Sequence, residues 1–384
     1  MILRAQPPVR GGETHTHTTE SISMTIPRAG TASVTIALLL CVTTAASAQE
    51  HTSPVLKAGA MEITIGGRVQ TQFNTTDVDT EPATEFTLRR IRLEATVKVN
   101  DVVSGKIQPD FAGNRVSMKD AYLKLTFDPA FQLLAGQANR PFGVIQPTSS
   151  TRVLPIERGV RIRGVEEALD ENELVVELGY ADRDVGLQVM GAPTGAPLGF
   201  SYQAGFFNGP ARAQAGAENT YQLGARVAVE PVHALKMGAA WSSRDFVTTE
   251  GLPGEEVDVR RGSAWAVDLE YGTYAPGVHF VAEAAYGDFN PFVGTRFFGA
   301  QGWAAWRSGE LSPKLTGIEP VLRVSYGDPN ANDRGDASGG GTLVTPGVNL
   351  YFGGFNRVMF NYDFWDPQDG DRHGSFKTQF NLAF

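Results

Sequence analysis

The chain ends on Phe376-Lys-Thr-Gln-Phe380-Asn-Leu382-Ala-Phe384, where apolar side chains alternate with polar or small ones up to the carboxylate. Successive side chains of a strand point to opposite faces, so Phe380, Leu382 and Phe384 are placed to face lipid and Gln379, Asn381 and Ala383 a lumen. A half-buried terminal strand of a soluble sheet reads the same way. The rest of the chain decides between the two.

At the other end, Arg28 precedes the apolar stretch Ala32 to Val42, and Ala46-Ser47-Ala48 has the small-x-small pattern of a signal-peptidase site. Cleavage is expected before Gln49. Residues 1–48 are then a signal region, and Met24 just ahead of the apolar stretch suggests that 1–23 are either an upstream translation start or an annotation artefact. Cys41 is the only cysteine, and Leu40 before it is bulky where lipoprotein processing needs a small residue. The mature chain therefore carries no disulfide, which an oxidising periplasm tolerates.

After the signal, no stretch approaches the roughly 18 apolar residues that a spanning helix needs. A chain that crosses a bilayer without such a helix must close into a barrel, because hydrocarbon offers backbone amides no partner. The 43 Gly, 22 Pro and 10% aromatic residues suit such a barrel. Removing the arginines and glutamates of 1–48 from the 33 basic and 42 acidic residues leaves an acidic chain, which argues against nucleic acid as a partner. Ion preference stays open, since only charges lining the pore decide it.

About sixteen segments have the length of a tilted barrel strand, from 62–74, 86–100, 103–111 and 117–128 through to 374–384. The reading is all-β, a transmembrane antiparallel β-barrel over 62–384 after a short periplasmic segment at 49–61. In the first strand Ile63, Ile65, Val69 and Phe73 share one face and Thr64, Arg68, Gln70 and Gln72 the other. The same alternation turns Arg90, Arg92, Lys98, Lys106, Lys124 and Asp120 toward the lumen. Connections alternate too: 75–85, 112–116, 139–183 and 208–219 are long, whereas Asn100-Asp101, Asp128-Pro129 and Glu230-Pro231 are tight. Long connections belong outside the cell, so both termini are expected on the periplasmic side. Tyr180, Tyr202, Phe207, Tyr271, Tyr286, Trp306, Tyr326, Tyr351 and Trp365 lie near strand ends, where aromatic girdles meet the interface.

Several short stretches, in order, resemble the phosphate-selective porin O and P family. They include Gly66-Gly67-Arg68-Val69-Gln70, Leu88-Arg89-Arg90-Ile91-Arg92-Leu93, Asp120-Ala121-Tyr122-Leu123, Pro141-Phe142-Gly143, Glu157-Arg158, Phe206-Phe207-Asn208-Gly209 and Gly347-Val348-Asn349-Leu350-Tyr351. The resemblance implies a sixteen-stranded outer-membrane channel, usually a homotrimer, whose third external loop folds inward to narrow the pore. It also implies that basic side chains lead oxyanions to that zone. By position Arg68, Arg89, Arg90, Asp120 and Arg158 match the family pattern. The chain departs from it at Leu134, where phosphate-selective relatives tend to carry a basic residue before the glycine of the fifth strand.

The expectation is a passive porin of the bacterial outer membrane, exported through the periplasm and inserted by the barrel-assembly machinery. It admits small hydrophilic solutes with an anion preference, phosphate or other oxyanions included. The alternative is a non-selective general diffusion porin. Arg89, Arg92 and Lys106 have a second role open to them, bracing the wall and the inward loop. Arg161 and Arg163 could bind lipopolysaccharide phosphate or sit in solvent beside outer-membrane lipid, and acidic 166–173 reads as a solvated loop face. Outer-membrane hydrolases need a nucleophile or activated water beside a base, yet His51, His233, His279 and His373 have no motif partners and no hydrolase or phosphate-loop signature follows the signal. No catalytic residue, metal ligand or cofactor is expected, and an adhesin barrel would need longer external domains.

Overall fold

The computed structural model describes residues 55–59, 61–79, 82–213, 219–248, 257–332 and 339–384. The signal region 1–48, its cleavage site, Cys41 and His51 lie outside the described residues. The strands are β1 (Val55–Ala58), β2 (Met61–Thr75), β3 (Thr84–Lys98), β4 (Val103–Asp110), β5 (Ser117–Asp128), β6 (Phe131–Asn139), β7 (Arg183–Gly191) and β8 (Ser201–Phe207). They continue as β9 (Gln222–Val232), β10 (Leu235–Val247), β11 (Val259–Gly272), β12 (Gly277–Asn290), β13 (Thr295–Arg307), β14 (Gly317–Asp328), β15 (Gly341–Gly353), β16 (Asn356–Pro367) and β17 (His373–Ala383). One short helix, α1 (Glu171–Glu177), lies between β6 and β7.

From β2 to β17 each strand pairs antiparallel with the next, and β17 pairs back onto β2 from Lys377↔Asn74 to Ala383↔Arg68. Sixteen strands thus close a barrel. Beyond the last pair, Gly67 and Phe384 exchange both backbone hydrogen bonds, at 2.9 and 3.2 Å. Closure removes the free edges that lipid could not satisfy.

The short segment at 49–61 contains a strand that the sequence reading did not bring forward. Within it β1 pairs with β2 from Val55↔Thr64 to Ala58↔Met61. The cause is register: β17 stops opposite Arg68, which leaves the edge of residues 61–64 unpaired, and β1 occupies that edge.

Facing follows the pleat. Phe380, Leu382 and Phe384 are 56%, 52% and 44% exposed on the outer surface, while Gln379 and Asn381 are buried within. The expected aromatic girdle is only partly right. Tyr271, Tyr286 and Trp306 do face outward, but Phe207, Tyr180, Tyr351 and Trp365 are buried. Nearness to a strand end does not set the face; the period of two does, and the outward places belong to Phe206, Phe352 and Phe364, one residue away.

Inward-facing Phe297, Trp303, Val321, Leu343 and Trp365 are apolar and buried, because the long connection between β6 and β7, residues 140–182, packs on them. From that connection Phe142, Leu174, Val175 and Tyr180 enter the first of these clusters, Ile145, Val153 and Leu154 the second, and Val160 and Ile162 the third. Each fully buried side chain of this size contributes roughly 1.5–3 kcal/mol, so the connection has a core of its own within the barrel. The reading of 166–173 as one solvated face is also corrected. Glu166 and Glu167 are exposed, but Asp170 and Glu171 are fully buried. Asp170 caps α1, its carboxylate accepting from the Glu173 amide at 3.1 Å.

Candidate functional site in the lumen

Most of the side chains predicted to line the lumen fall into two groups. Those on β2 and β3 hold the long connection. Arg68 Nη1 donates to the hydroxyls of Ser149 and Ser150 at 2.9 and 3.0 Å. Arg90 donates to Gln70 at 2.9 Å and to Glu157 at 3.2 Å. Strict alternation aims Arg89 at lipid, yet it also meets Glu157. The ladder between β2 and β3 slips at Gln70/Thr71, where Gln70 pairs with Arg90 and Thr71 with Leu88. Arg89 is the extra residue of that bulge, so two consecutive arginines turn inward onto one carboxylate. Burial would raise the Glu157 carboxyl, but Arg89 and Arg90 overcome it and hold the group well below the usual carboxylate range.

The second group lies on β3 to β5. Arg92 is 2.7 Å from Asp110, and Lys106 bridges Glu94 at 3.1 Å and Asp120 at 3.2 Å. Asp120 also accepts from Arg183 at 2.6 Å. Lys98 is not among these. It is half exposed near the turn between β3 and β4, paired with Asp101 at 2.8 Å. Lys124 stands opposite Leu134 in the ladder and makes no ion pair or hydrogen bond among the described residues. Arg158, in the connection itself, donates to the carbonyls of Ile145 and Thr148. Burial, then repulsion from Arg183 and Arg92, lowers its pKa to about 10.

Further basic residues escaped the sequence reading. Arg323 is fully buried and donates to the carbonyls of Glu157 and Gly159 at 2.9 and 3.2 Å and to Asp363 at 3.1 Å. Arg357 donates to the Val153 carbonyl, and Arg140 to Gln222 at 2.7 Å. Glu283 accepts from the amides of Val144 and Ile145, and Gly143, at φ +68°, lacks the Cβ that would strike this carboxylate. The signal for Arg323 was present: Pro320, Leu322 and Val324 alternate with Glu319, Arg323 and Ser325 along β14.

Beside the connection a cavity of about 400 Å³ is lined by Asp120, Tyr122, Leu134, Val144, Gln203 and Arg226, among others. A smaller one of about 230 Å³ shares Gln203 and Arg226 with it. Leu134 therefore puts an apolar side chain on the wall of this cavity.

The sequence matches the family described as phosphate-selective porin O and P over residues 63–259, more than half of the chain. The chain belongs to this family. The porin is an outer-membrane channel, and its fold is shared with solved porins at low identity. Against the anion-selective porin from Comamonas acidovorans the TM-score is 0.60 at 11% identity, covering 84% of this chain and 100% of that one. Against OmpF of Salmonella typhi, solved with daunomycin, it is 0.56 at 13%, covering 86% and 100%. Against the channel DcaP of Acinetobacter baumannii it is 0.56 at 15%, covering 85% and 99%. A search of curated proteins by sequence finds no match. Family and fold assign the porin to the bacterial outer membrane and to the passage of small hydrophilic solutes.

Proposed function

We propose that the porin is a passive, anion-preferring channel for small hydrophilic solutes, oxyanions such as phosphate among them. The observation that carries this reading is Arg158. Its guanidinium is held by two loop carbonyls rather than by a carboxylate, with Arg92 and Arg183 as its strongest charged neighbours. A cation without a paired acid in a low-dielectric wall leaves positive potential along the path. Guanidinium also matches phosphate oxygens in geometry, and several weak contacts permit both entry and exit. The family description and the Comamonas relative agree with this reading.

A specific observation favours the general diffusion reading. Arg92, Lys106 and Arg183 each lie against a carboxylate, and Leu134 occupies the family's basic position. Reversal potential in a salt gradient, followed by phosphate block of chloride current, separates the two. An anion-directed potential with phosphate block supports an oxyanion channel, whereas a potential near zero without block supports the diffusion porin. The wider reading includes a homotrimer, cleavage before Gln49 during export and assembly through the aromatic carboxy terminus.

A further inference from the structure

Arg226 on β9 was not among the side chains that the sequence brought forward, yet it has a distinctive position. It is one of two residues lining both the larger cavity beside the connection and the smaller cavity next to it. The other is Gln203, which is uncharged. Among the residues that line the smaller cavity, which are Gln132, Met190 to Ala192, Ser201 to Gln203, Arg226 and Ala228, Arg226 alone carries a charge.

Its partner is Asp268 on β11. Arg226 Nη2 donates to Asp268 Oδ1 at 2.6 Å and Nε to Oδ2 at 3.2 Å, while Nη1 makes no hydrogen bond among the described residues. The two members of the pair differ sharply in access. The Arg226 side chain is 22% exposed and that of Asp268 only 1%. The neighbouring pairs of the larger cavity are not arranged this way. Asp120 and its two cations are similarly accessible, at 12% against 18% and 19%, and in the pair of Arg140 with Asp184 the acid is the more exposed member. An ion pair whose cation stands nearer the water presents a positive end to passing ions, because the potential of the nearer charge is reduced less by distance and solvent.

We infer that Arg226 is a selectivity-determining residue at the passage between the two cavities, and that buried Asp268 positions its guanidinium and weakens its field. This rests on the channel reading, but not on the sign of the porin's overall preference. The test is the anion over cation permeability ratio, taken from reversal potentials of the purified full-length porin in planar bilayers under a potassium chloride gradient. Arg226→Gln is expected to lower the ratio by about threefold, and Asp268→Asn to raise it, since the cation remains and its buried counter-charge is gone. Arg226→Lys should stay near the wild type. Retained heat-modifiable mobility identifies the variants that have folded. A merely structural pair would give shifts of the same sign, or none, in the two neutralised variants, and either result overturns the inference. Opposed shifts around a wild type without anion preference leave the inference standing and refute the anion-preferring reading instead. If Asp268→Asn does not fold, Asp268→Glu replaces it and is expected to match the wild type, while an unchanged ratio in Arg226→Gln alone suffices to reject the role.

Discussion

Arg89 and Glu157 form a two-pronged ion pair, Nε to Oε1 at 2.6 Å and Nη2 to Oε2 at 3.0 Å, which joins the barrel wall to the middle of the inward connection. The pair exists because a bulge in β3 turns Arg89 to the same side as Arg90. Arg323 holds the backbone of the same residue from across the lumen, at 2.9 Å. Glu157 is therefore clasped from two parts of the wall.

Glu157→Gln is expected to loosen the connection while leaving the barrel closed. It removes the carboxylate that compensates Arg90, which is 4% exposed, and breaking such a buried pair costs on the order of 3–5 kcal/mol. Single-channel records should show larger and noisier openings with unchanged heat-modifiable mobility. Quiet openings of wild-type size would show that the apolar clusters alone seat the connection.

The seat should also weaken as pH rises. Burial, then Asp170 and Glu177, raise the Glu173 carboxyl to about 8, and burial and Glu283 raise Glu171 well above its ordinary value. An acid raised in the folded state gives stability that is complete below its unfolded pKa and lost as pH climbs through the folded one. Glu157, held low, works the other way and is lost only in strong acid. The seat should therefore weaken, and channel noise rise, progressively from about pH 4.5 to about pH 8, with no further change from Glu173 above that. Glu173→Gln should flatten the upward part of the profile, and a rise equal to that of the wild type would count against Glu173 as the titrating group.

Closure depends on Phe384 and Gly67. A Cβ at Gly67 would lie 2.6 Å from the Arg92 carbonyl and 2.7 Å from the Phe384 ring. Deleting Phe384 removes two seam hydrogen bonds and an outward aromatic, and Gly67→Val crowds the same place from the other strand. Both variants should reduce folded barrel in the membrane. Wild-type surface amounts of either one would show that the remaining β17–β2 ladder suffices.

Arg90 and Arg158 should part company. Arg158 is paired with carbonyls only, so Arg158→Ala is expected to lower anion over cation permeability about twofold. Arg90 is already matched by Glu157, so Arg90→Ala should act mainly on the stability of the seat. Equal loss of selectivity in both, without added noise in Arg90→Ala, would return Arg90 to the ion path.

Sequence alone carried the all-β barrel, its sixteen crossing strands and the outward alternation of Phe380, Leu382 and Phe384 at its end. Those features are local: a period of two and the lengths of connections are written residue by residue. The same rule did not by itself place Arg89 in the lumen, which only the family resemblance did, because a bulge depends on the partner strand's register, and it missed β1, whose pairing exists only because β17 stops at the level of Arg68. It also could not separate braces from pore charges. A lumenal arginine looks the same whether a loop carbonyl, a carboxylate or water stands opposite, and that is decided by where residues 140–182 lie against the wall. Contacts across 80 to 200 residues of chain set the chemistry of this lumen, and the alternation of a single strand contains none of them.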